Sequence, residues 1–93
     1  MSAFQIRIRS RRVQRELNSL LETDYKRVAA KLKTIASNPR LQGVEKLFDN
    51  IYRVRIGDIR IIYSIDDANN RIEIGGIRHR NEKTYKDIQD LFR

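Results

Sequence analysis

Ile51-Tyr-Arg-Val-Arg-Ile-Gly57-Asp58-Ile-Arg-Ile-Ile-Tyr63 alternates apolar and polar residues on either side of a Gly-Asp pair. That period of two marks a pair of half-buried strands. A two-residue loop with glycine in first place suits a type II′ hairpin turn. The loop dictates the register: Ile56 opposes Ile59, Arg55 opposes Arg60, Val54 opposes Ile61, Arg53 opposes Ile62 and Tyr52 opposes Tyr63. Successive side chains point to opposite faces. Tyr52, Val54, Ile56, Ile59, Ile61 and Tyr63 therefore share a core face, while Arg53, Arg55 and Arg60 share the other. Like charges directly opposite one another destabilise a sheet. An anion among the guanidinium groups resolves that conflict, and arginine is suited to gripping phosphate through two parallel hydrogen bonds. The competing reading is a solvated face on which the arginines extend into water and pair with Glu73.

Downstream, Asp66 to Asn70 is a polar turn cluster, and Arg71 to Ile77 is a further strand. Residues 51–77 thus read as a three-stranded meander. Strict alternation puts Arg71, Glu73, Gly75, Ile77 and His79 on one face, with Arg78 and Arg80 opposite. A bulge at Gly75-Gly76 reverses this, so it stays open whether His79 or Arg80 reaches the arginine face. Asn81 can cap a final helix carrying Tyr85, Ile88, Leu91 and Phe92 on one side.

Upstream, Phe4 to Arg9 alternates as a strand with Phe4, Ile6 and Ile8 inward. Ser10 can cap a helix with Val13, Leu17, Leu20 and Leu21 at helical spacing. Thr23-Asp24 reads as a break and a new cap. Tyr25, Val28, Leu32 and Ile35 then form a second stripe, giving an αα-hairpin. Asn38-Pro39 stops the second helix, because the residue before proline is pushed out of the α region. Leu41 to Asn50 reads as a connection containing Glu45-Lys46-Leu47-Phe48. The expected fold is α+β, in the order β-α-α-β-β-β-α. It has a small antiparallel sheet of about four strands with its helices packed against one face. The sheet partner of the first strand is not legible.

The 93 residues are expected to form a single domain over 1–93. Twenty basic against twelve acidic side chains leave a net charge of +8, which favours polyanions or an acidic partner. Residues 1–40 carry ten basic and three acidic side chains, and residues 41–93 carry ten and nine. Cysteine is absent, which excludes thiolate chemistry and disulfide frameworks and fits a cytoplasmic protein. No apolar run is long enough for a membrane span, and Met1 to Arg12 lacks the apolar core of a signal peptide. One histidine with scattered carboxylates is not metal-ligand spacing. No phosphate-cradling glycine loop is present.

Tyr52-Arg-Val-Arg-Ile-Gly-Asp-Ile-Arg-Ile-Ile-Tyr63, with Asn38-Pro39-Arg40, Gly43 and Lys46-Leu47 before it and Ile77-Arg-His-Arg80 and Tyr85 after it, resembles the RelE/ParE toxin superfamily over almost the whole chain. The branch holds messenger RNA endonucleases and gyrase inhibitors. The resemblance implies the toxin of a type II toxin–antitoxin pair, a ribosome-dependent endoribonuclease that cuts messenger RNA in the ribosomal A site and needs no metal or other cofactor. It also implies a cognate antitoxin, with operator DNA contacted only through the toxin–antitoxin complex. By position, Arg53, Arg55 and Arg60 match basic residues that contact the message and its scissile phosphate. Arg80 or His79 matches the basic position at the end of the last strand. Tyr85 matches a tyrosine that some members stack on a base, although it also starts the apolar stripe of the last helix. A gyrase-inhibiting toxin without nuclease activity, or an inactive homologue that only binds antitoxin, are the alternatives.

Cleavage of this type uses the 2′-hydroxyl of the RNA as nucleophile. Arginine cannot readily transfer the protons, because its pKa lies far above neutrality. Histidine, with an unperturbed pKa of ~6.5 as a residue type, suits acid–base work, which makes His79 the candidate for it.

Overall fold

Ile56 opposes Ile59 and Tyr52 opposes Tyr63, the register that the Gly57-Asp58 loop dictates. Gly57 adopts φ 58°, the positive value that the first position of a type II′ turn requires. The computed structural model describes residues 3–79 and Phe92. Its elements are strand β1 (Gln5–Ile8), helices α1 (Arg11–Asn18) and α2 (Glu22–Ser37), and strands β2 (Glu45–Phe48), β3 (Ile51–Ile56), β4 (Ile59–Asp66) and β5 (Arg71–His79). One five-stranded sheet runs in the order β1-β5-β4-β3-β2.

The sheet is mixed rather than antiparallel, because β1 pairs parallel to β5, with Gln5 beside Arg71 and Ile8 beside Ile74. A parallel neighbour needs a long connection, and everything from α1 to β4 intervenes. The fifth strand is β2, which lies inside the stretch read as a connection. Its register slips between Lys46 and Phe48, and that irregularity erased the alternation that would have marked it.

Tyr52, Val54, Ile56, Ile59, Ile61, Tyr63, Ile65, Ile72, Ile74 and Ile77 form the sheet side of the core, with Val13, Leu17, Val28 and Ile35 from the helices. Burying each large apolar side chain contributes roughly 1.5–3 kcal/mol relative to leaving it exposed. Ser10 caps α1 as expected, its Oγ accepting from the Val13 N–H at 3.3 Å. Asn38 is extended at φ −150°, so α2 ends before Pro39.

The helix break lies at Ser19–Leu21 rather than at Thr23-Asp24. Ser19 Oγ donates to the Glu16 carbonyl at 2.9 Å and its N–H to the Arg15 carbonyl, local bonds of the kind that compete with helix continuation. Leu21 therefore precedes α2 instead of extending the α1 stripe, and it stands 74% exposed. Tyr25 is likewise 43% exposed rather than core, one turn short of the first buried position of α2, Val28.

The final helix expected after Asn81 lies outside the described residues. Phe92, however, packs with Ile51 and Ile62, flanked by Leu47 and Phe48, in a second small cluster. Ile62 pairs with Gly76 and points away from α1 and α2, so not all the apolar packing is on one face of the sheet. A β-carbon at Gly75 would overlap the Phe92 ring, so glycine there provides the seat.

Arg40 ties the loop after α2 to the sheet. Its Nη2 donates to Asp67 Oδ2 at 2.7 Å, its Nε donates to Tyr52 Oη at 3.2 Å, and its guanidinium lies 5.5 Å from the Tyr52 ring centroid. The hydrogen bond from Arg40 holds the Asp67 carboxyl below its ordinary pKa. A depressed carboxyl contributes stability above its unfolded value of 3.8, and that stability fades as pH falls through the folded value. Asp67→Asn should therefore lower the melting temperature slightly at neutral pH and converge with the parent below about pH 4, which flattens the acid limb of the profile. An unchanged acid limb would assign acid lability to other groups.

Candidate phosphate-binding face

On the sheet face turned away from α1 and α2, Arg55 opposes Arg60, and Arg60 opposes Arg78 on its other side. Three adjacent strands thus carry one arginine each in a straight row across the sheet. Neighbouring strands lie ~4.8 Å apart, so the row spans about 10 Å at the backbone. Arg53 lies on the same face two residues before Arg55, beside Glu45 of β2. Arg53, Arg55 and Arg60 are thus placed together as the alternation predicts.

Arg78 is the member that sequence reasoning missed. The register slips between Ile62 and Tyr63, where Ile62 meets Gly76 and Tyr63 meets Ile74. Gly75 is the extra residue, the bulge offered by Gly75-Gly76. One inserted residue exchanges the faces of everything after it. Arg78 therefore joins the arginine row, and His79, opposite Ile59, turns to the helix side with Ile77 and remains exposed. The sequence signal was the Gly-Gly pair itself. Arg80 and Tyr85 lie outside the described residues.

Glu45 pairs with Arg53, and Glu16 of α1 pairs with Arg78. Glu73 pairs with Arg9 at 3.4 Å instead of with the row. Among the described residues Arg55 and Arg60 have no ion pair. The Nε atoms of Arg60 and Arg78 are buried without a hydrogen-bond acceptor among these residues. A buried donor left unsatisfied costs ~1–3 kcal/mol, and two cross-strand neighbours bear that cost together. An anion seated over Arg60 would screen the repulsion between the guanidinium groups and accept from their terminal Nη donors. Beside the row lies the apolar cluster of Ile51, Ile62 and Phe92, with the Arg9 guanidinium 5.7 Å from the Phe92 ring centroid. Among the described residues no group of three or more His, Cys, Asp or Glu side chains is placed to hold a metal ion. No described helix is long and apolar enough to cross a membrane.

A family model for the ParE toxin of type II toxin–antitoxin systems matches residues 7–84. No curated protein matches at the sequence level. Among solved structures, the chain is similar to one from the archaeal RelE–RelB complex of Pyrococcus horikoshii OT3, with a TM-score of 0.78 and 26% identity over 86% of this chain and 98% of that one. A mutant of the E. coli toxin RelE in the free state superposes with a TM-score of 0.81 at 15% identity, each chain covered in full. The RelB–RelE antitoxin–toxin complex of Methanococcus jannaschii gives 0.63 at 20% identity over 96% of this chain and 99% of that one. With its α+β fold and the match across most of its length, the chain belongs to the ParE toxin family of type II toxin–antitoxin systems, within the RelE/ParE superfamily.

Proposed function

We propose that this toxin is a ribosome-dependent endoribonuclease that cuts messenger RNA in the A site by attack of the RNA's own 2′-hydroxyl on the adjacent phosphorus. The observation that carries the reading is the row Arg55–Arg60–Arg78, in which Arg55 and Arg60 have no ion pair among the described residues. A phosphodiester is an anion whose oxygens accept from guanidinium donors, one or two at a time. In the reaction a bond forms from O2′ to phosphorus and the bond from phosphorus to O5′ breaks. The products are a 2′,3′-cyclic phosphate and a 5′-hydroxyl. Arg55, Arg60 and Arg78 hold the phosphoryl oxygens as charge builds on them, an effect of the oxyanion-hole kind.

Arginine does not transfer the protons. We assign uptake of the 2′-hydroxyl proton to Glu45, the carboxylate on the same face beside Arg53. The proton for O5′ comes from a second group, the role left for Tyr85 or His79. With His79 on the helix side, the isolated domain is short of an acid–base pair, and a dependence on the ribosome to orient the message follows. The cognate antitoxin is the protein partner, and operator DNA is reached through that complex.

Purified toxin mixed with translating ribosomes, followed by mapping of RNA ends, tests this. Cuts at codon-defined positions bearing 5′-hydroxyl ends are expected. A gyrase-inhibiting toxin is the second reading, favoured by the ParE family match. It predicts intact message and inhibited supercoiling from the same preparation.

A further inference from the structure

β1 leaves the sheet at Ile8 while β5 runs on to His79. Beyond Ile74, one edge of β5 therefore has no strand beside it among the described residues. Helix α1 covers that edge with side chains. Arg12 Nη2 donates to the Gly75 carbonyl at 3.4 Å, and the Ile77 N–H donates to Glu16 Oε1 at 3.0 Å. These bonds satisfy backbone groups that a strand would have taken.

The second oxygen of the same carboxylate, Oε2, pairs with Nη1 of Arg78. Their side chains are only 18% and 14% exposed. Glu16 is the one acidic residue of α1, whose sequence is RRVQRELN. Satisfying the Ile77 N–H takes a neutral acceptor and no charge. The charge goes to Arg78, the end member of the arginine row. One carboxylate oxygen is anchored to the backbone of residue 77, so the other stands at a fixed point beside the side chain of residue 78. A guanidinium held at one nitrogen by a half-buried carboxylate keeps its remaining donors in a set direction, which is what preorganised charge stabilisation requires.

We propose that Glu16 is a positioning residue. It fixes the Arg78 guanidinium at the β5 end of the row, so that Arg78 meets a phosphate already oriented. The inference rests on reading that row as the RNA-phosphate grip.

The test is a double-mutant cycle of Glu16→Gln, Arg78→Ala and both together, read by single-turnover cleavage on programmed ribosomes and by thermal melting. Glu16→Gln keeps the acceptor for Ile77 and should melt close to the parent. It should slow cleavage ~10- to 100-fold, the loss that follows a misplaced group, with the half-saturating toxin concentration nearly unchanged. Arg78→Ala should lose at least as much. The double variant should be no slower than Arg78→Ala alone, because Glu16 acts through Arg78. Glu16→Asp retains the charge on a stem one methylene shorter, and it should also slow cleavage, which covers the case of a Gln variant that fails to fold. Parent-rate cleavage by both Glu16 variants overturns the inference. So does a Glu16→Gln loss that is equally large in the Arg78→Ala background. Both results require a parent protein that cuts. A parent that cuts no message overturns the nuclease reading, and the positioning role goes with it.

Discussion

Arg60→Ala should abolish RNA cleavage on the ribosome and leave the domain folded. The loss should be at least ~10²- to 10³-fold in single-turnover rate, the range seen when one preorganised donor to a developing oxyanion is removed. Arg60 is the centre of the row, flanked by Arg55 on one strand and Arg78 on the other. The same geometry fixes the sign of the stability change. Removing Arg60 ends two cross-strand like-charge contacts and one buried unsatisfied Nε, so melting should stay constant or rise slightly. Arg53→Ala combined with Arg55→Ala should also abolish cutting, but with a small stability loss, since Arg53 gives up its pair with Glu45. Cleavage assays and melting curves on the same preparations decide the matter. An Arg60→Ala protein that unfolds would mean that the guanidinium supports the sheet, and one that cuts at the parent rate would move the phosphate elsewhere.

Tyr63 gives the largest stability effect. It is fully buried in the centre of the sheet, donates from Oη to the Pro39 carbonyl at 2.7 Å, and stacks on Tyr52 with ring centroids 6.0 Å apart. Tyr63→Ala should cost ~3–5 kcal/mol through lost burial and the cavity left behind. Tyr63→Phe keeps the ring and strands the Pro39 carbonyl, for a loss of ~1–3 kcal/mol. A small domain has only ~5–15 kcal/mol in total, so the first variant should be partly unfolded at physiological temperature. Urea titrations with unchanged m-values measure both differences. Burial also pushes the Tyr63 phenol well above its ordinary pKa of 10.0. A raised value of this kind contributes stability that is whole below pH 10 and is lost as pH climbs toward the folded value. Tyr63→Phe should therefore remove part of the alkaline unfolding seen above about pH 10. Equal costs for the two substitutions would contradict this split between packing and hydrogen bond.

Much of this site was legible before any coordinates. The alternation in residues 51–63 and the Gly-Asp loop together place Arg53, Arg55 and Arg60 on one face, and the observed register agrees pair by pair. Arg78 was not legible as a member. Its face depends on whether Gly75-Gly76 takes a bulge, and glycine permits either choice. β2 went unread for a related reason, since a slipped register destroys the periodicity by which strands are recognised. The misplaced helix break reflects a competition between Ser19 and Thr23-Asp24 for the same role, which propensity alone does not rank.

By itself, the sequence determined what neighbouring residues impose on one another: the β3–β4 hairpin, its split into apolar and cationic faces, the Ser10 cap and the stop before Pro39. These depend on sterics and hydrogen bonds within a few residues. Tertiary structure alone decided that β1 lies parallel to β5 and that α1 closes the vacant edge, with Glu16 sixty-two residues before the arginine it holds. It also decided that Phe92 seats over Gly75. Such pairings are chosen by which surfaces remain unburied and which backbone groups remain unbonded once the local elements exist, and that choice is a property of the assembled chain.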